Sequence, residues 1–267
     1  MCYTIQRMAE SSEPAHYIVF HPESKRYALP VWATALIGDR RVDSWAGKVW
    51  VDKPPGNEDP FVLGSSWAYS YCHATQLRRD PRPTGEYVMK GSSILFCSGD
   101  LGNEGVLAVD TIFWISEAHQ WISAGKPPSR YSRDVADRTD LWGFHLRFGG
   151  QFGGHKGKYT NEAALYPQPD DRYSRLPLDA NGERVQVALK DLSFDLRGRI
   201  IRGLRDQKRP IRLSDADLRS ILRFVQDRTA VAVVGKTVPN DSTFTELRME
   251  KDTGCQPCQP KTKEVCC

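Results

Sequence analysis

The sequence predicts an α+β fold: a strand-rich mixed body followed by a smaller α/β segment. Three observations predict it. Short runs rich in Val, Ile, Trp, Tyr and Phe recur through the first two thirds, separated by Gly- and Pro-rich turns, which is the pattern of strands and hairpins. Two of these runs, Ser93 to Cys97 and Val106 to Ile115, bracket a turn built from Ser98, Gly99, Asp100, Gly102, Asn103 and Gly105. Finally, Leu213 to Arg228 repeats Leu218, Ile221, Leu222 and Val225 at helical spacing, behind a Ser214 cap with Asp217 three residues on.

In chain order, residues 1–14 read as a loose polar leader and His16 to His21 as the first strand. Tyr27 to Gly38 carries Pro30 early and apolar residues at irregular spacing, which fits a short helix or an irregular buried segment. Ala46 to Asp52 alternates as a strand does, and Lys53 to Pro60 is a turn-rich connection. In Phe61 to Leu77, the residues Trp67, Tyr69, Tyr71 and His73 fall at alternate positions, so a strand there would carry them on one face. Ser116 to Gly125 reads as a short helix capped by Ser116, and Asn161 and Glu162 as the cap of another. Asn181-Gly182 marks a turn, and Ala230 to Gly235 a buried strand. The expected organisation is a single globular domain over 15–237, with a body to about 180, an α/β segment over 185–237 and a cysteine-containing tail over 238–267.

A chain of 267 residues that is 40% hydrophobic can bury an ordinary core. It has no apolar run of about eighteen residues, and its first residues lack a basic start followed by an apolar stretch, so the expectation is a cytoplasmic protein without a membrane partner. Of seven cysteines, Cys2, Cys72 and Cys97 are isolated and read as free thiols rather than a disulfide framework. A net charge of +4 is too small to imply a polyanion partner without local clustering.

Clustering occurs in two places. Gly149 to Gly157 packs five glycines into nine residues, close to His145, Arg147, His155, Lys156, Lys158 and Tyr159. Glycine lets a backbone approach a ligand, so Gly149, Gly150, Gly153 and Gly154 with Arg147, Lys156, Lys158 and Tyr159 are candidate ligand-binding residues. The plain alternative is a pair of surface turns with solvated lysines. A phosphate loop fails, because Phe152 stands where its first glycine belongs and Tyr159 where Ser or Thr does; the dinucleotide pattern is absent. No cofactor follows from these residues. Lys190 to Arg212 is the second cluster, with eight basic residues against three acidic ones. It is either a solvated face or a surface for a phosphate backbone.

Trp67 and Tyr69 are candidates for stacking on a base, or else the core face of a half-buried strand. For an enzyme acting on a small substrate, His145 or His155 would be the general base, with Glu162 as a carboxylate partner. The tail holds Cys255, Cys258, Cys266 and Cys267, enough thiols for zinc, but the adjacent pair is awkward for a tetrahedral site and no metal is assigned. A third reading is an interaction protein recruiting metal or partners through that tail.

The stretch Gly91 to Ile115, "GSSILFCSGDLGNEGVLAVDTIFWI", resembles the part of PUA-like barrel domains in which one strand leads through a turn to a second. "FHLRFGG" and "GGHKG" are similar to later elements of such families, some of which are associated with nucleotide modification. The resemblance covers about 90 residues and departs from the pattern at Asp110 and after residue 185. It implies a PUA-like, partly open barrel that binds a nucleotide or nucleic acid and takes part in nucleobase or DNA modification.

Overall fold

A computed structural model describes residues 14–52, 60, 62–63, 67, 69–70, 77, 91–101, 105–120, 163–167, 174–206 and 210–242. The strands are β1 (His16–Phe20), β2 (Arg26–Ile37), β3 (Arg40–Asp52), β4 (Tyr69–Ser70), β5 (Ser93–Asp100), β6 (Val106–Gln120), β7 (Ala163–Pro167), β8 (Leu176–Leu178), β9 (Val185–Ala188), β10 (Ile211–Leu213) and β11 (Val231–Pro239). Helix α1 spans Phe194–Asp206 and α2 spans Asp215–Arg228. The fold is a strand-rich α+β arrangement of two sheets and few helices, and neither sheet closes into a barrel among the described residues.

One sheet runs β10-β1-β5-β6-β7-β4, with β9 beside the first half of β6; the other runs β3-β2-β11-β8. The two sheets face each other. Tyr17, Val19, Ile94, Phe96, Phe113 and Ile115 point from the larger sheet into a core shared with Leu29, Val31, Ala33, Val49 and Val233 of the smaller one. Alternate residues of the same strands, Ile18, Phe20, Leu95, Cys97, Leu107 and Val109, face the other way and pack against α1 and α2. The order of layers is therefore sheet, sheet, helices. Strands buried on both sides explain why their sequences read as near-continuous apolar runs.

Both helices form for local reasons. Ser193 Oγ accepts from the Leu196 N–H at 3.3 Å at the start of α1. At α2, Ser214 Oγ accepts from the Asp217 N–H at 3.1 Å while Asp217 Oδ2 accepts from the Ser214 N–H, a reciprocal capping box. Leu196, Ile200, Gly203 and Leu204 form the buried stripe of α1, and Leu218, Ile221 and Val225 that of α2.

Three expectations are corrected. Tyr27 to Gly38 is neither helix nor irregular: it is β2, paired with β3 from Arg26 to Ile37. Ser116 caps no helix, because β6 continues to Gln120 and pairs with β7 there. Asn161 and Glu162 precede a strand, β7, rather than a helix. The segment after 185 is woven into both sheets: β9 and β10 join the larger and β11 the smaller.

Gly203 shows how closely α1 approaches β1. A Cβ at this position would lie 2.2 Å from Phe20 Cε2 and 2.9 Å from Ile211 Cδ1. Helix propensity alone would make Gly203→Ala stabilising by about 1 kcal/mol. Steric overlap with a buried ring should reverse the sign, giving a net loss of about 1–3 kcal/mol in urea unfolding; a stabilised variant would contradict this packing.

Candidate functional site

Two assemblies of charged side chains stand out, one internal and one at the surface. The internal one forms around Asp110. Opposite β5 the pairing steps from Phe96↔Thr111 to Cys97↔Val109, so Asp110 is the extra residue of a β-bulge. The bulge reverses the alternation of β6: Leu107 and Val109 face the helices before it, Ile112 does so after it. The side chain of Asp110 is fully buried.

Two guanidinium groups meet it. Arg26 Nε lies 3.3 Å from Asp110 Oδ2, while Arg26 Nη1 donates to Asp52 Oδ1 at 3.0 Å and Nη2 to the Trp50 carbonyl at 2.6 Å. Arg184 Nη1 donates to Asp110 Oδ1 at 3.0 Å, and its guanidinium also grips Glu23. The Arg184 guanidinium lies 5.2 Å from the centre of the Trp50 ring. His21 Nδ1 is 3.9 Å from Asp52 Oδ1. Burial pushes the carboxyls of Asp52 and Asp110 up, against the opposing pull of Arg26 on both and of Arg184 on Asp110. The Arg184 hydrogen bond holds the exposed-side Glu23 below its usual range.

His16 is a second meeting of histidine and carboxylate. Its Nδ1 accepts from the Ser93 N–H at 2.9 Å, and its Nε2 lies 3.3 Å from Asp215 Oδ1. An Nδ1 that accepts a backbone N–H puts the ring proton on Nε2, facing the carboxylate. Burial holds its pKa below 6.5 despite Asp215. With both nitrogens occupied, His16 acts as a strut between β1, β5 and the start of α2.

The surface assembly is the basic run, whose described residues fold as a short turn, α1 and β10, with 207–209 outside the described residues. An open groove of about 660 Å³ beside α1 is lined by Arg199, Arg202, Arg205, Asp206, Pro210 and Ile211. Arg202 and Arg205 are exposed and form no ion pair among the described residues. Arg199 differs: it donates to Asp195 Oδ2 at 2.9 Å, to the Arg212 carbonyl at 2.9 Å and to Asp217 Oδ2 at 2.7 Å. It also lines a second open groove of about 840 Å³, with Asp195, Arg212, Asp215 and Asp217.

The aromatic candidates are core residues. Trp67 and Tyr69 are 3% and 0% exposed. The Trp67 ring stacks on Phe113 with centroids 6.3 Å apart, and Tyr69 meets Phe96 edge to face at 4.8 Å. Neither ring offers a face to a base, so the core reading of the ladder describes these two. His145, Arg147, Gly149, Gly150, Gly153, Gly154, His155, Lys156, Lys158, Tyr159 and Glu162 lie outside the described residues, as do Tyr71, His73 and the tail cysteines. Cys97 is a buried free thiol whose pKa is raised by burial. Among the described residues no group of three or more His, Cys, Asp or Glu side chains is placed to hold a metal, and no helix is long and apolar enough to cross a membrane. No family model, no curated protein and no solved structure matches the chain.

The cluster around Asp110 was missed in the sequence because its members are scattered from His21 to Arg184; the signal was Asp110 itself, a charge inside an apolar strand. It yields a pH prediction. Arg26→Met leaves Asp52 and Asp110 short of positive charge, at a cost of about 3–5 kcal/mol near neutral pH. Losing the guanidinium raises both carboxyls further, so the folded variant takes up protons as pH falls and the deficit against wild type should shrink between about pH 7.5 and 5. Urea unfolding at the two pH values checks this; a deficit that stays constant or grows at the lower pH would contradict it.

Proposed function

We propose that the protein binds a phosphate-bearing ligand, a nucleotide or nucleic acid, on the flank formed by α1 and β10. The observation that carries this reading is the groove lined by Arg199, Arg202 and Arg205 against Asp206. Three guanidinium groups around one concavity create a positive potential there, and a guanidinium presents its donors in a fork that matches phosphate oxygens. Arg202 and Arg205 supply the contacts in this reading, since Arg199 is already engaged by two carboxylates and a carbonyl.

The strand pair β5 and β6, with the turn between them, is also what the resemblance to PUA-like domains rests on. In this reading the fold is PUA-like, the setting is the cytoplasm, and the role is in nucleobase or DNA modification. The glycine-rich stretch with Lys156 and Lys158 would add further phosphate contacts.

The test is a titration with fluorescent nucleotides and short single-stranded DNA at two salt concentrations. Replacing Arg202 and Arg205 together by Gln should weaken binding at least about tenfold at low salt and flatten the salt dependence by about one unit of slope for each phosphate no longer neutralised. Lys156→Ala and Lys158→Ala in the same assay measure the share of the glycine-rich stretch. Absence of binding to every ligand, or affinity untouched by the double arginine variant, would end this assignment of the site.

A further inference from the structure

The two grooves meet at Arg199, and their charges differ in kind. On the α1 side, the described residues facing the groove include Arg202 and Arg205 with one acid, Asp206. On the α2 side, Asp195, Asp215 and Asp217 face it with Arg212. Arg199 stands between, held by Asp195 and Asp217. The surface is therefore bipolar, cationic at one end and rich in carboxylates at the other.

The carboxylates are not equally committed. Asp217 is occupied by Arg199 and by the Ser214 N–H of the capping box. Asp215 places Oδ1 near the ring N–H of His16, while Oδ2 has, among the described residues, Arg219 at 3.9 Å. Asp195 gives Oδ2 to Arg199, and its Oδ1 accepts no hydrogen bond among the described residues. The side chains of Asp195 and Asp215 are 80% and 66% exposed. Each offers an acceptor oxygen toward the second groove.

Resting on the phosphate-binding reading above, we infer that the ligand is a mononucleotide, with its phosphate on Arg202 and Arg205 and its donor-bearing sugar or base on Asp195 and Asp215. A polynucleotide lying along the same path would bring its next phosphate against three carboxylates, where like charges repel. A ribose diol or an exocyclic amine instead brings donors to exposed acceptors. Discrimination then comes from both ends of the groove, attraction for one phosphate at one end and rejection of a second at the other.

Calorimetric titration of the full chain with the four ribonucleoside 5′-monophosphates, adenosine, inorganic phosphate and a short single-stranded DNA separates the two ideas. At least one monophosphate should bind tenfold or more tightly than adenosine, inorganic phosphate or the DNA. Asp195→Asn should weaken that monophosphate several-fold without weakening inorganic phosphate, and Arg202→Gln should weaken both. Since Asp195 is exposed, a thermal unfolding profile like that of wild type verifies that the variant is folded. Equal affinity for inorganic phosphate and every monophosphate, or tighter binding of the DNA, would overturn the mononucleotide inference and leave the phosphate-binding flank standing. No binding by any of these probes would overturn both.

Discussion

The ionised side chains around Asp110 set the terms for the rest of the fold. A carboxylate with no exposed surface, in the middle of a strand that is buried on both sides, costs several kcal/mol unless opposite charge reaches it. Arg26 and Arg184 reach it from different layers: Arg26 opens β2 of the smaller sheet, and Arg184 immediately precedes β9 of the larger one. Asp52, paired in register with Arg26 across β2 and β3, completes the group. The 3.0 Å hydrogen bonds hold each arginine within its own sheet, Arg26 to Asp52 and Arg184 to Asp110, and the contacts that cross between the sheets are the ion contact of Arg26 Nε with Asp110 Oδ2 at 3.3 Å and the Arg184 guanidinium over Trp50. The cluster therefore contributes less to net stability than to fixing where one sheet sits on the other.

Whether an element's partners lie near or far along the chain decides what is legible in the sequence. Elements decided by neighbours in the chain are the legible ones: the capped helix α2, the turn at Gly182, whose φ of +73° suits glycine, and the pairing of β5 with β6, although Ser98, Gly99 and Asp100 extend β5 instead of opening the turn. Elements decided by distant partners are not. Pro30 looked like a breaker, yet it sits in β2 where the pairing with β11 ends, and its carbonyl accepts from the Asn240 N–H at 2.7 Å. Ser116 looked like a helix cap, but β7 arrives to continue the sheet. The candidate site divides similarly. The basic run was visible as composition, while its grooves needed Arg199 to be seen against Asp195 and Asp217. Trp67 and Tyr69 had the right spacing for a platform, but only tertiary packing could show that Phe113 and Phe96 occupy their surroundings.

The internal and external charge assemblies obey opposite rules. Inside, Arg26 and Arg184 are matched to carboxylates and to carbonyl or hydroxyl oxygens, save for Arg26 Nε, which makes no hydrogen bond among the described residues. Outside, Arg202 and Arg205 stand beside a groove without such partners among the described residues, a state that water permits and a ligand can exploit. Arg199 belongs to both regimes, because it is partly buried and internally paired yet forms the wall where the two grooves meet. Its role is to hold the bipolar surface in shape.

The position of β1 has a consequence for synthesis of the chain. It pairs in parallel with β5 and, on its other edge, with β10, whose residues come nearly two hundred positions later. During translation β1 and β5 emerge well before Ile211–Leu213, so one edge of β1 has to wait, with its N–H and C=O groups open to other strands. Contacts this distant in sequence also slow folding, because the intervening chain must be closed into a loop before they can form. The interval between the synthesis of β5 and of β10 is thus when a growing chain is most exposed to pairing with its neighbours on the ribosome, and a synthesis rate that lengthens it should lower the yield of folded protein.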